Sequence, residues 1–140
     1  MAHLQSISVT DTDLQAVRPD IPRYLFEGQA DHSVTIDRVK RQVYREIKVE
    51  ERALHPELTD AELNERLTAV KDYPEETPLK DRIVKLTLAE IMKANSRLDE
   101  AEMYQKDAES MPLEYFVDLD ADSDADPGEA RQTGTVTFSR

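Results

Sequence analysis

The chain has 140 residues, 39% of them apolar, which is enough for one domain with a single modest core. It has no cysteine, which excludes disulfides and thiolate metal sites, and no apolar run approaches the ~20 residues of a membrane span. Thirty acids against eighteen bases give a net charge of −12, which disfavours tight, sequence-reading contact with nucleic acid, since phosphate binding draws on clustered Lys and Arg.

Residues 1–13, MAHLQSISVTDTD, lack a basic region followed by an apolar stretch, so export by a signal peptide is not expected. Thr10 or Asp11 offers an N-cap for a short helix through Leu14 and Val17, and Arg18-Pro19 ends it. Residues 20–26 predict a second short helical turn with Pro22 near its start, closed by Gly28.

Ser33 or Thr35 then caps a helix over 35–53. Ile36, Val39, Val43 and Ile47 form one apolar face at spacings of three and four, and Val49 extends it. Arg38, Lys40, Arg41 and Arg45 come early in this helix, Glu46, Glu50 and Glu51 late. That order opposes the helix dipole and asks for partners outside the helix. The bases read either as a solvated face or as a patch meeting an acidic neighbour.

His55-Pro56 breaks the helix. Thr59-Asp60-Ala61-Glu62 is a capping box that starts about three turns with Leu63, Leu67 and Val70 on one face. After a loop over 73–78, Thr77 caps a helix with Pro78 in its first position. The density of Leu79, Ile83, Val84, Leu86, Leu88, Ile91 and Met92 predicts burial between other helices. Asn95 is the expected C-cap, and Ser96 with Asp99 the expected restart. Leu98, Ala101, Tyr104 and Ala108 mark a narrow stripe on a polar helix that Met111-Pro112 interrupts. In residues 113–119 the odd positions are apolar, the period of a strand, with a short last helix as the competing reading. The fold class is therefore mainly α, a small bundle of four to five helices followed by an acidic loop and an extended C-terminal β-like arm.

That C-terminal stretch carries six acids in twelve residues, from Asp118 to Glu129, without one base. Ionised carboxylates repel one another and are costly to bury unpaired, so a solvated linker is expected over 118–131. Asp118, Asp120, Asp122 and Glu129 fit positions one, three, five and twelve of a calcium loop, but Ser123 stands where the sharp turn needs glycine. They remain a weak calcium candidate. The terminal residues, Thr135, Val136, Thr137, Phe138, Ser139 and Arg140, read either as a tail or as a strand added to another chain's sheet edge, with Val136 and Phe138 filling pockets. His3, His32 and His55 lie in separate loops, and no nucleophile elbow or phosphate loop occurs. The expectation is a docking protein without a cofactor rather than an enzyme.

Taken together, LQAVRPDIPRYL, LKDRIVKLTLAEIMKA, YFVDLDADSDADPGEA and the terminal TVTFSR resemble the head–tail adaptor (connector) proteins of tailed viruses. The chain departs from that pattern in lacking glycines inside the acidic turn and in Pro112. The resemblance implies a homo-oligomeric ring, usually of twelve copies, in the virion neck, assembled in the host cytoplasm. One face would meet the portal protein, the other the next neck or tail-completion protein, with double-stranded DNA passing through the lumen unbound and no membrane involved. It further implies a helical adaptor domain over 1–117, the linker, and a docking arm over 132–140 anchored by Val136, Phe138 and Arg140. An acidic surplus poor in lysine, seven against eleven arginines, also fits solubility in a halophilic host such as a salt-loving archaeon. The rival readings are another neck or tail-completion protein, and an acidic regulator that mimics nucleic acid and binds a basic partner.

Overall fold

Helix α4, Pro78–Ala94, carries the apolar residues that the rest of the chain covers. In the computed structural model, which describes residue 4, residues 7–118 and the backbone of 130–132, it packs against both α2, Ser33–Leu54, and α5, Leu98–Glu109. Leu79, Ile83, Leu88 and Met92 are fully buried there, and Val84, Leu86 and Ile91 nearly so. Among the described residues the remaining elements are α1, Asp11–Val17, a 3-10 turn over Ile21–Tyr24, α3, Asp60–Thr68, and three short strands. The fold is mainly helical, as the apolar spacing predicts. No helix among the described residues is long and apolar enough to cross a membrane.

Local chemistry sets most boundaries. Thr10 is the N-cap of α1, and its N–H donates to Asp13 Oδ2 at 2.9 Å. Helix α2 begins at Ser33, two residues before the expected start, with His32 in the cap position. Neither Ser33 nor Thr35 caps it. Asp31 Oδ1 accepts from the Ser33 N–H at 3.1 Å and Asp11 Oδ1 from the His32 N–H at 3.0 Å, so carboxylates from outside the helix do that work. Its stripe of Ile36, Val39, Val43 and Ile47 is buried, but Val49 is 71% exposed and lies off that face.

The Thr59 box forms as expected: Glu62 N–H donates to Thr59 Oγ1 at 3.1 Å, and Thr59 N–H to Glu62 Oε1 at 2.8 Å. Helix α3 nevertheless stops at Thr68, short of the expected three turns. Val70 belongs instead to strand β1, Val70–Lys71.

The start of α4 corrects another expectation. Thr77 occupies the cap position with φ 46°, and its side chain makes no capping bond. Asp72, five residues upstream, accepts from Leu79 N–H and Lys80 N–H, both at 2.9 Å. Burial pushes the Asp72 carboxyl up from its ordinary range, against these backbone donors, which pull it down. At the other end Asn95 is the C-cap. Ser96, at φ 61°, donates to Lys93 O at 3.1 Å, and Arg97 N–H donates to Met92 O at 2.9 Å. This is a Schellman closure with serine in the left-handed position, so Ser96 ends α4 and Arg97 takes the cap position of α5. On α5, Ala101, Tyr104 and Ala108 are buried, whereas Leu98 is 64% exposed and does not join the stripe.

The segment after Pro112 is a strand, β2 over Glu114–Val117, and not a last helix. It pairs antiparallel with β1 (Val70 opposite Val117) and with β3, Ala130–Gln132 (Phe116 opposite Ala130), giving the order β1-β2-β3. Tyr115 and Val117 face the common core. Phe116 is also buried, its ring 5.4 Å from that of Tyr73. Leu4, Ile7 and Val9 join the core from the N-terminal segment.

A polar tie joins the segment after α1 to α5. Arg18 follows α1 and donates to Asp20 Oδ1 at 2.9 Å and to Glu100 Oε2 of α5 at 2.5 Å. The Arg18 guanidinium first, then Arg97, holds the Glu100 carboxyl below its ordinary value. A lowered folded-state value gives stability that is complete above the unfolded value and lost as pH falls through the folded one. The difference in urea midpoint between the wild type and Glu100→Gln is therefore expected to be greatest at neutral pH and to vanish in acid, below the ordinary carboxylate range.

Candidate interaction site at the root of the C-terminal segment

The apolar stripe of α2 continues past Ile47 to a glutamate. Four residues on, Glu51 falls on the same inward face and is 0% exposed. Two donors hold its carboxylate: Arg66 Nε from α3 at 2.5 Å and the Tyr115 hydroxyl from β2 at 2.5 Å. His55 Nε2 lies 3.8 Å from it. A charged group inside a core is tolerated only when paired and hydrogen-bonded, and this arrangement provides both. Its effect is positional, because one carboxylate fixes α2, α3 and β2 together just before the chain enters its acidic run. The sequence signal was an acid at the next stripe position after Ile47. The compensating partners asked for outside α2 are present as Arg66 for Glu51 and as Arg82 Nε, 3.1 Å from Glu46 Oε1.

The acidic run does not begin in solvent. Asp118 is 6% exposed, and its N–H donates to Ala69 O at 2.8 Å. The β1–β2 pairing thus extends one residue and draws Asp118 under the end of α3, a correction to the solvated loop expected from 118 onward. An open cleft of about 420 Å³ lies beside it, lined by Leu58, Glu62, Glu65, Arg66, Thr68, Ala69 and Asp118. On the far side of the run, β3 brings the backbone back to the edge of the sheet. The last residues of the expected linker are therefore paired strand.

Of the calcium candidates only Asp118 falls within the described residues; Asp120, Asp122 and Glu129 lie outside them, as does the arm, Thr135, Val136, Thr137, Phe138, Ser139 and Arg140. Among the described residues no three His, Cys, Asp or Glu side chains gather to hold a metal ion. His32 is buried with Nε2 3.2 Å from Ile21 O, and His55 is half-buried beside Glu51 and Glu57, so the two serve separate local contacts. No protein-family model, curated protein or solved structure matches the chain.

Proposed function

We propose that this chain is a structural subunit of a viral neck, a head–tail adaptor whose copies form a ring between the portal and the next neck or tail component. The helical domain is the body of the subunit, and the arm that docks on the portal runs over residues 133–140, beyond Gln132 at the end of β3. The observation that supports this reading is the rooting of the C-terminal segment. The acidic run is bracketed by β2 and β3, and β2 is tied to the bundle through Tyr115 and the buried Glu51. A segment held at both ends of its acidic stretch, and continuing from an edge strand, is suited to carry an arm away from a rigid domain. The acidic surplus would keep DNA from adhering in the lumen and, in a halophilic host, would maintain solubility.

Truncation after Gln132 tests the arm. The helical domain is expected to keep its far-UV CD spectrum and unfolding midpoint, while co-sedimentation with portal rings is lost. Docking undiminished by the truncation would overturn the proposed role of residues 133–140.

A further inference from the structure

Helix α2 presents a basic stripe to the outside of an acidic molecule. Arg38, Arg41, Arg45 and Lys48 follow one another at spacings of three and four, opposite the buried Ile36, Val39, Val43 and Ile47, and all four are exposed. They span about 15 Å along the helix axis. Arg38 comes within 4.0 Å of Glu90, but among the described residues Arg41, Arg45 and Lys48 make no ion pair. Like charges at these spacings repel, so the row weakens its own helix unless something outside neutralises it. Val34 and Val49 extend the same outward face, 60% and 71% exposed.

The complementary surface lies on the same chain. The outward side of α5 carries Asp99, Glu102 and Glu109, with Leu98 and Met103 exposed among them; Lys106 is there too, 3.2 Å from Glu102. Both helices pack on α4 through their other faces, and both outward faces are open to solvent, so a single molecule leaves them unpaired.

We infer that the α2 stripe docks on the α5 face of a second copy of this chain. The apolar residues favour a protein over a phosphate backbone, because Val34 and Val49 gain from Leu98 and Met103 but nothing from phosphates. The charge balance points the same way. With the four stripe bases set aside, thirty acids stand against fourteen bases in the chain, so a second copy is a polyanion of the sign the stripe needs. When each copy offers its two patches to two different neighbours the contact is heterologous, and it closes into a ring when the rotation allows. The inference deepens the ring reading above and rests on it for its biological setting. Its test uses no portal, so a chain that self-associates by this contact yet ignores the portal would sink only the adaptor reading. A chain that docks on the portal without this contact would sink only the inference.

The test is sedimentation velocity of the full chain in about 0.1 M salt, where fields fade over about 10 Å and the net charges of two copies do not dominate a local contact. The wild type is expected to gain mass with concentration and to lose it again in about 1 M salt. Arg41→Glu/Arg45→Glu and Glu102→Lys/Glu109→Lys should each keep the wild-type CD spectrum and sediment as monomers. An equimolar mixture of the two should regain the heavier species, because each then offers the other an opposite charge. The milder Arg41→Gln/Arg45→Gln should weaken association at least tenfold. Wild-type protein that stays monomeric up to high concentration, a stripe variant that associates undiminished, or a mixture without rescue would each overturn the inference. So would a stripe that shifts duplex DNA while the protein stays monomeric.

Discussion

Replacing Glu51 by alanine is expected to lower the free energy of unfolding by about 3 kcal/mol, the lower end of the range for breaking a buried ion pair by removing one partner. The side chain of Glu51 is fully buried, and it accepts from Arg66 Nε and from the Tyr115 hydroxyl, both at 2.5 Å. Its removal takes the carboxylate away from the Arg66 guanidinium and the Tyr115 hydroxyl inside the fold. Arg66 retains 15% side-chain exposure and can recover some hydration, which is why the lower end applies. The loss should be shared with Arg66: the double variant Glu51→Ala/Arg66→Ala is expected to fall short of the sum of the two single losses, because the pair acts as a unit. Urea unfolding followed by far-UV CD measures all three. A Glu51→Ala loss below about 1 kcal/mol, the scale of an ordinary exposed pair, would mean that the cluster does not hold β2 to the bundle.

Leu88→Ala, in the middle of α4, is expected to cost about 2–5 kcal/mol through lost transfer energy and the cavity left behind. Leu88 is fully buried on the helix that both α2 and α5 pack against, so its truncation leaves a space inside the core. The control is the same substitution ten residues on. Leu98 is 64% exposed at the start of α5, and Leu98→Ala should change stability by no more than about 0.5 kcal/mol. Similar losses at the two positions would contradict the placement of α4 at the centre of the fold. Against a typical total of about 5–15 kcal/mol, the first change alone removes a large share of the stability.

The helices were legible in the sequence because their signals are local. The stripe of α2, the Thr59 box and the apolar density of α4 all act within one or two turns, and the structure has each of them. The strand after Pro112 was legible for the same reason, from the alternation of Leu113, Tyr115 and Val117. What escaped depends on residues distant in sequence. Strand β1 is two residues long and exists because Val70 and Lys71 find β2 across the fold, so no period announces it. The cap of α4 comes from Asp72 across a loop, and α2 is capped by Asp11 and Asp31, so choosing the nearest hydroxyl gave the wrong residue in both cases. Val49 and Leu98 are apolar but face outward; apolarity alone says nothing about which side of a helix is covered.

Glu51 and Asp118 are the instructive pair for the site. Both are acids and both are buried, Glu51 on the inward face of α2 and Asp118 where the β1–β2 pairing continues past Val117. Glu51 could have been found, since it occupies the next position of its own stripe. Asp118 could not, because its burial follows from the β1–β2 register and the position of Ala69.

The docking prediction is measured most directly as the native mass of the full chain mixed with the portal of the same particle. The account predicts a ring-sized complex whose copy number of this chain matches that of the portal. A small species that ignores the portal would contradict it, and binding of a basic protein partner by that species would identify an acidic regulator instead.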